Sequence, residues 1–214
     1  DGFPKDLVDF KCLNGTAGEG CVCNAGYGNG LVEASLAGKY FTCEPCAVGM
    51  TSTSPLSQGA CVLCEAGKYT GESGSLCTGC PMGTYSDVGG STSEADCKPC
   101  AVGYYGPYVA ASACIKCPPG SSCGKEGMQL YDPCPSGSYQ DRPGKTLCRP
   151  CPAGTFQNET GLASCQPCAA GRYNPREGRN DSSACSACRA GSYSSQDRAA
   201  NCTECSAGNV QADE

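Results

Sequence analysis

Cys77-Thr78-Gly79-Cys80-Pro81-Met82-Gly83-Thr84-Tyr85 joins two signals: a cysteine pair spaced C-x-x-C and, directly after it, a small residue, any residue, Gly, any residue and an aromatic ring. The pair recurs at Cys43/Cys46, Cys61/Cys64, Cys97/Cys100, Cys114/Cys117, Cys148/Cys151, Cys165/Cys168, Cys185/Cys188 and Cys202/Cys205. Taking the second cysteine of each pair and including Cys134, the steps are 18, 16, 20, 17, 17, 17, 17, 20 and 17 residues. That regularity is the signature of a tandem array. The ring recurs at Tyr69, Tyr105, Tyr139, Phe156, Tyr173 and Tyr193, while Thr51, Ser122 and Val210 take its place in three modules.

A Gly two residues before a ring permits a positive φ, so each module is expected to turn and then feed a short irregular hairpin. The ring is expected to lie against the neighbouring disulfide and cover it from water. Segments between the pairs are rich in Ser, Thr, Gly and Asn and show no sustained 3.6-residue apolar period. Helices are therefore expected to be rare.

Composition points the same way. Of 214 residues, 23 are Cys, 30 Gly and 15 Pro, whereas Leu, Ile, Val and Phe together number 24. Cysteine at this density marks a disulfide scaffold, and so few aliphatics cannot build a large oily core. A module of this length cannot bury enough to fold alone, so bridges and stacking on neighbouring modules must supply the difference. The fold class expected is small and disulfide-rich: an elongated tandem array, or rod, of short irregular β-hairpin modules with little or no helix.

A repeated unit restricts the pairing of its cysteines to schemes that also repeat. Bonds inside a C-x-x-C pair would form the small rings typical of redox centres. The scheme favoured is a ladder, in which the second cysteine of one pair joins the first of the next. It gives Cys46–Cys61, Cys64–Cys77, Cys80–Cys97, Cys100–Cys114, Cys134–Cys148, Cys151–Cys165, Cys168–Cys185 and Cys188–Cys202. One module is irregular: Tyr131 stands at the closing position, three before Cys134, and an extra cysteine follows the ring position at Cys123. Cys117–Cys123 keeps the ladder in register. Cys205 then opens a module that is not closed, and its partner is expected beyond Glu214.

Residues 1–43 depart from the pattern. Cys12, Cys21 and Cys23, followed by Asn24-Ala25-Gly26-Tyr27 and later Cys43, resemble the second half of an epidermal-growth-factor-like module. A Cys12–Cys21 bond would close the segment on itself, whereas the strict resemblance implies that both reach towards residues further upstream. From residue 44 to 214 the pattern C-x-x-C-P-x-G-x-Y resembles the ephrin-receptor-like cysteine-rich repeat, and is similar in appearance to tumour-necrosis-factor-receptor and laminin-type modules. Cys123 and the three missing rings depart from it. The resemblance implies an extracellular or surface-displayed protein such as an adhesin, a receptor ectodomain, or a protist or algal coat or flagellar-hair glycoprotein of the mastigoneme type.

Other features bear on function by exclusion. There is no His and no Trp, and the absence of His removes the commonest general base and every Cys/His zinc site. The net charge of -6 and a pI near 4.7, without a Lys/Arg stripe, argue against nucleic acid and anionic membranes. The uncharged stretch 99–115 holds two Pro, two Gly and three Tyr and is too short and polar to span a bilayer. Residues 1–30 lack a basic segment followed by an apolar one, so a secreted chain is expected to start here by processing or excision.

Asn14-Gly15-Thr16, Asn158-Glu159-Thr160, Asn180-Asp181-Ser182 and Asn201-Cys202-Thr203 use four of only eight Asn in N-glycan acceptor motifs. N-linked glycans are thus expected at Asn14, Asn158, Asn180 and Asn201, and no other cofactor. Thr51-Ser52-Thr53-Ser54-Pro55 is compositionally an O-glycan candidate or a solvated loop.

These observations favour a non-catalytic structural segment holding apart, or polymerising with, other extracellular chains, including copies of itself in a filament. A receptor or adhesin ectodomain is the alternative, with Arg172, Arg176 and Arg179 as its candidate partner contact. Zinc ribbons also use paired C-x-x-C motifs. The even single-pair pitch, the odd cysteines Cys123 and Cys134 and the sequons argue against that reading.

Overall fold

A computed structural model describes residues 10–12, 21–23, 25–32, 40–52 and 60–206; at 10–12, 21–23, 29–32 and 40–43 the description is of the backbone alone. Its described residues form eleven two-stranded antiparallel sheets and two single-turn 3-10 helices. The structure is a disulfide-rich tandem array of hairpins with almost no helix.

One module shows how sequence dictates the hairpin. After Cys151, Gly154 adopts φ 80°, reversing the chain so that Thr155–Phe156 runs back beside Gln166–Pro167, immediately before Cys168. Thr155 Oγ1 closes the turn on the Pro152 carbonyl at 2.7 Å. Pro167, which has no N–H, ends the second strand, and Pro99, Pro133 and Pro150 stand at the same place in other modules. Strands ending in Gly79, Lys116 and Ala187 are as short without it. The same pairing recurs as Tyr69 opposite Thr78, Tyr139 opposite Arg149 and Tyr193 opposite Thr203.

Chain length varies between modules, and the variation is localised. The two 20-residue steps are those from Cys80 to Cys100 and from Cys168 to Cys188. They contain the 3-10 turns, Glu94–Asp96 and Ser182–Ala184. Asp96 accepts the N–H groups of Thr92 and Ser93 at 2.8 and 3.1 Å, and Asp181 accepts that of Ser183 at 2.7 Å. Each carboxylate thereby satisfies donors that a turn this short leaves open.

Two compact units are distinguished, residues 1–99 with 106–114, and residues 100–105 with 115–214. Inside each unit the modules are joined by the same three backbone hydrogen bonds. In the first, Gly49 N–H donates to Thr70 at 3.0 Å, Cys64 N–H to Gly49 at 2.9 Å and Gly74 N–H to Cys46 at 3.0 Å. In the second, Gly137 donates to Gln157 at 2.7 Å, Cys151 to Gly137 at 2.9 Å and Gly161 to Cys134 at 2.8 Å. Because these bonds use main-chain groups, they survive the divergence of the side chains around them.

The close approach explains why Gly is needed at the turn. At Gly120, φ 81°, a Cβ would stand 2.1 Å from the Gly161 carbonyl oxygen. At Gly171, φ 82°, a Cβ would meet nothing within 4 Å.

The sulfurs lie deeper than most of the rings. The second cysteine of most pairs is sealed, with Cys46, Cys64, Cys80, Cys100, Cys117, Cys134, Cys151 and Cys168 all at 1% exposure or less. Among the rings Phe156 is buried, but Tyr69, Tyr85, Tyr105, Tyr139, Tyr173 and Tyr193 are half-exposed. The deeper place belongs to the residue after the ring: Ser86, Gln140, Gln157 and Asn174 are buried. Successive side chains of an extended segment point to opposite sides, and here the residue just past each two-residue strand, polar in these modules, takes the inner side.

Candidate functional site

The chemistry-bearing groups of this chain are its sulfurs, so the disulfide rungs are the natural site to build from the residues upward. The structure joins Cys46 to Cys61, Cys64 to Cys77, Cys80 to Cys97, Cys117 to Cys123, Cys134 to Cys148, Cys151 to Cys165, Cys168 to Cys185 and Cys188 to Cys202, with Cα–Cα separations of 5.5 to 6.2 Å. Cys100 and Cys114 are disulfide-bonded as well. Cys205 carries a free, half-buried thiol. The side chains of Cys12, Cys21, Cys23 and Cys43 lie outside the described residues, although the backbone places Cys12 opposite Cys21 in a strand pair.

Each regular rung joins the cysteine ahead of the first hairpin strand to the one that leads into the second. The covalent bond therefore fixes the loop while the backbone ladder fixes neighbouring modules, and the buried polar column connects the two. Gln157 Nε2 donates to the Ser164 carbonyl at 2.7 Å and its Oε1 accepts from Glu159 N–H at 3.1 Å. Gln140 repeats this with Leu147 at 2.7 Å and Arg142 at 3.2 Å. Asn174 reaches into the preceding module, donating to the Thr155 carbonyl at 2.9 Å. Buried amides bonded at both ends carry no desolvation deficit. Sequence reading overlooked this column, yet its signal was there: Ser52, Thr70, Ser86, Gln140, Gln157, Asn174 and Ser194 all follow the ring position and can all hydrogen-bond a nearby backbone.

The irregular module substitutes one device for another. Cys123, fully buried, occupies the place of the polar residue, and its bond to Cys117 closes a separation of six residues. Tyr131, at the position where a cysteine closes other modules, packs edge-on against Tyr105 with ring centroids 5.2 Å apart and planes at 85°. That geometry is the favoured one for an aromatic pair.

On the surface, Tyr69 donates to Glu94 at 3.4 Å, and burial together with that carboxylate raises the phenol's pKa. Lys98 and Asp87 meet at 2.9 Å; the hydrogen bond lowers the carboxyl's pKa and raises the ammonium's. The three arginines do not act alike. Arg172 Nη1 donates to the Cys185 carbonyl at 2.9 Å, bracing a rung. Arg176 N–H donates to Asn174 Oδ1 at 3.0 Å, and the Arg179 carbonyl accepts from Gln157 N–H at 2.9 Å. The hydrogen bonds from Ser183 hold the Asp181 carboxyl below its ordinary range, with a smaller contribution from the Arg179 charge. Asn158, Asn180 and Asn201 are exposed; Asn14 and Thr53-Ser54-Pro55 lie outside the described residues.

Among the described residues no three His, Cys, Asp or Glu side chains converge as a metal site, and no helix is long and apolar enough to cross a membrane. A family model described as tyrosine-protein kinase ephrin type A/B receptor-like matches residues 52–97 and 132–161. Those stretches resemble its cysteine-rich repeats. The match falls on the part of the chain where rungs and hairpins alternate, and it fits an extracellular disulfide-rich module. The search of curated proteins finds no match.

Proposed function

We propose that this chain is a non-catalytic extracellular spacer, a segment whose work is to hold other extracellular chains or domains, copies of itself included, at a fixed separation. The observation that carries the reading is the double fastening of regular modules inside each unit, those opened by Cys46 and Cys64 in one and by Cys134 and Cys151 in the other. A disulfide closes the loop of each and three main-chain hydrogen bonds join each pair, around an interior of sulfur and bonded amides. Bridges of this kind persist in oxidising compartments, which places the chain outside the cytosol on this reading. N-glycans on Asn14, Asn158, Asn180 and Asn201 would keep such a surface solvated.

The reading is tested by mild reduction. Small-angle scattering and proteolysis of the full chain are compared before and after treatment with a reductant under native conditions. The expected outcome is loss of the folded scattering profile and rapid digestion. Retention of both would overturn it.

A second reading, a ligand-capturing receptor or adhesin ectodomain, is favoured by the apolar side chains left in water, among them Leu63, Leu130 and Leu147 at 60, 70 and 75% exposure. Replacing Arg176 and Arg179 together by Ala, with the Arg172 brace on the Cys185 carbonyl left in place, separates the two. Under the spacer reading assembly is unchanged, whereas under the receptor reading partner capture is lost.

A further inference from the structure

Two of the sequons stand in opposite mechanical situations. Asn158 is exposed just past the strand Thr155–Phe156, and Glu159 and Thr160 beside it are exposed and outside any strand. Its Oδ1 accepts from Gln166 Nε2 at 3.0 Å, an interaction made by the carbonyl oxygen rather than by Nδ2, the atom that takes the sugar. The tripeptide is tied by hydrogen bonds alone, this one and that from Glu159 N–H to Gln157 Oε1 at 3.1 Å, so it can leave the surface as a loop without breaking a hairpin or a covalent bond.

Asn201-Cys202-Thr203 is held on every side. Asn201 is exposed too, so exposure does not separate the sites. The difference is tethering. Cys202 is bonded to Cys188, and Thr203 lies in the strand Thr203–Glu204, opposite Tyr193. Just beyond, Cys205 N–H donates to the Gly191 carbonyl at 2.8 Å.

Glycan transfer joins Asn Nδ2 to the anomeric carbon of a lipid-linked oligosaccharide. The lipid pyrophosphate leaves and the amide gives up a proton. The transferase must draw both the Asn and the hydroxyl residue two positions on into a bent loop. A tripeptide whose middle residue is covalently anchored and whose third residue is strand-paired cannot be drawn in.

We propose that Asn201 is a conditional N-glycosylation site: it accepts sugar while Cys202 is still a thiol, and closure of Cys188–Cys202 ends its eligibility. Asn158 remains eligible after its module has folded. The inference rests on the extracellular reading above. It makes the last described rung a timer, in which oxidation and glycosylation compete for adjacent residues and the secreted chain emerges as two glycoforms.

The test expresses the full chain in secretory cells and reads site occupancy by mass spectrometry after enzymatic deglycosylation in heavy-oxygen water. Cys205→Ser serves as the parent, because it removes the thiol that Cys202 could otherwise join. Adding Cys188→Ser leaves the tripeptide Asn201-Cys202-Thr203 intact and removes its tether. Expected is a rise in Asn201 occupancy of about threefold or more, with Asn158 unchanged. Equal Asn201 occupancy in the two chains overturns the proposal. Because Cys188→Ser also loosens its module, the parent is in addition given a brief pulse of membrane-permeant reductant during synthesis and allowed to reoxidise. Occupancy of Asn201 should rise in chains that regain all bridges, and failure to rise overturns the proposal independently. Sugar missing from Asn158 as well, in chains that carry all their bridges, would overturn the contrast between the two sites and the timer with it, while the extracellular reading is judged separately by the reduction test above.

Discussion

The modules opened by Cys134 and by Cys117 do the same structural work with the covalent staple in different places. In the first, Cys134–Cys148 spans 14 residues and the buried position holds Gln140. In the second, Cys117–Cys123 spans six, Cys123 itself fills the buried position, and Tyr131 against Tyr105 stands where the closing disulfide would be. The main-chain contacts are the same in both: Gly120 donates to Gln140 at 2.7 Å and Gly103 to Cys123 at 2.8 Å. The backbone ladder is therefore the constant of this architecture, and closure of the loop is interchangeable.

The largest expected effect comes from the longer bridge. Replacing Cys134 and Cys148 together by Ser should cost about 3 kcal/mol in denaturant unfolding, against about 2 for Cys117 and Cys123, because the shorter loop restrains less of the unfolded chain. An equal or larger loss at Cys117 and Cys123 would mean that the buried sulfur matters more than the length of loop it closes.

Gly120→Ala tests the constant element directly. Both it and Gly171→Ala carry the cost of a positive φ, about 1 kcal/mol. Gly120→Ala should cost a further ~2 kcal/mol from the carbonyl in the path of its Cβ. Similar losses at the two glycines, measured by thermal unfolding, would show that the modules do not depend on close stacking.

Next in size, Gln140→Ala strips the Leu147 carbonyl and the Arg142 amide of their partner and should cost about 2 kcal/mol. Tyr131→Ala should cost about 1 kcal/mol, and the same change in a Tyr105→Ala background should cost less, as expected of a coupled pair.

The smallest effect is at the 3-10 turn. The Thr92 and Ser93 amides hold the Asp96 carboxyl below its ordinary value. A depressed folded pKa gives stability that is present above the unfolded value, about 3.9, and is lost as pH falls through the folded one. Asp96→Asn should thus be slightly less stable than the parent at pH 7 and indistinguishable from it at about pH 2, in paired unfolding curves.

How far the fold could be read beforehand depends on which groups do the work. The C-x-x-C pitch and the Gly before each ring are enough to announce hairpins, the near absence of helix and the alternation of bridges, because sulfur spacing and positive φ act locally. The depth of Gln140, Gln157 and Asn174 was not read, since polar residues are ordinarily assigned to the surface. Their burial depends on partners such as Leu147, Ser164 and Thr155, which composition does not reveal. Tyr131 was placed at the closing position, but its partner Tyr105 lies 26 residues upstream, and only folding brings the two rings together.

The coil at Glu94–Asp96 has a practical side. Three additional residues between Cys80 and Cys97 wind up with none of them buried, and the hairpin Thr84–Tyr85 with Lys98–Pro99 keeps its register. That spot and its counterpart at Ser182–Ala184 are natural graft points outside the hairpin register, where a foreign epitope or a tag can be displayed as long as, at the first, the Tyr69–Glu94 hydrogen bond is kept.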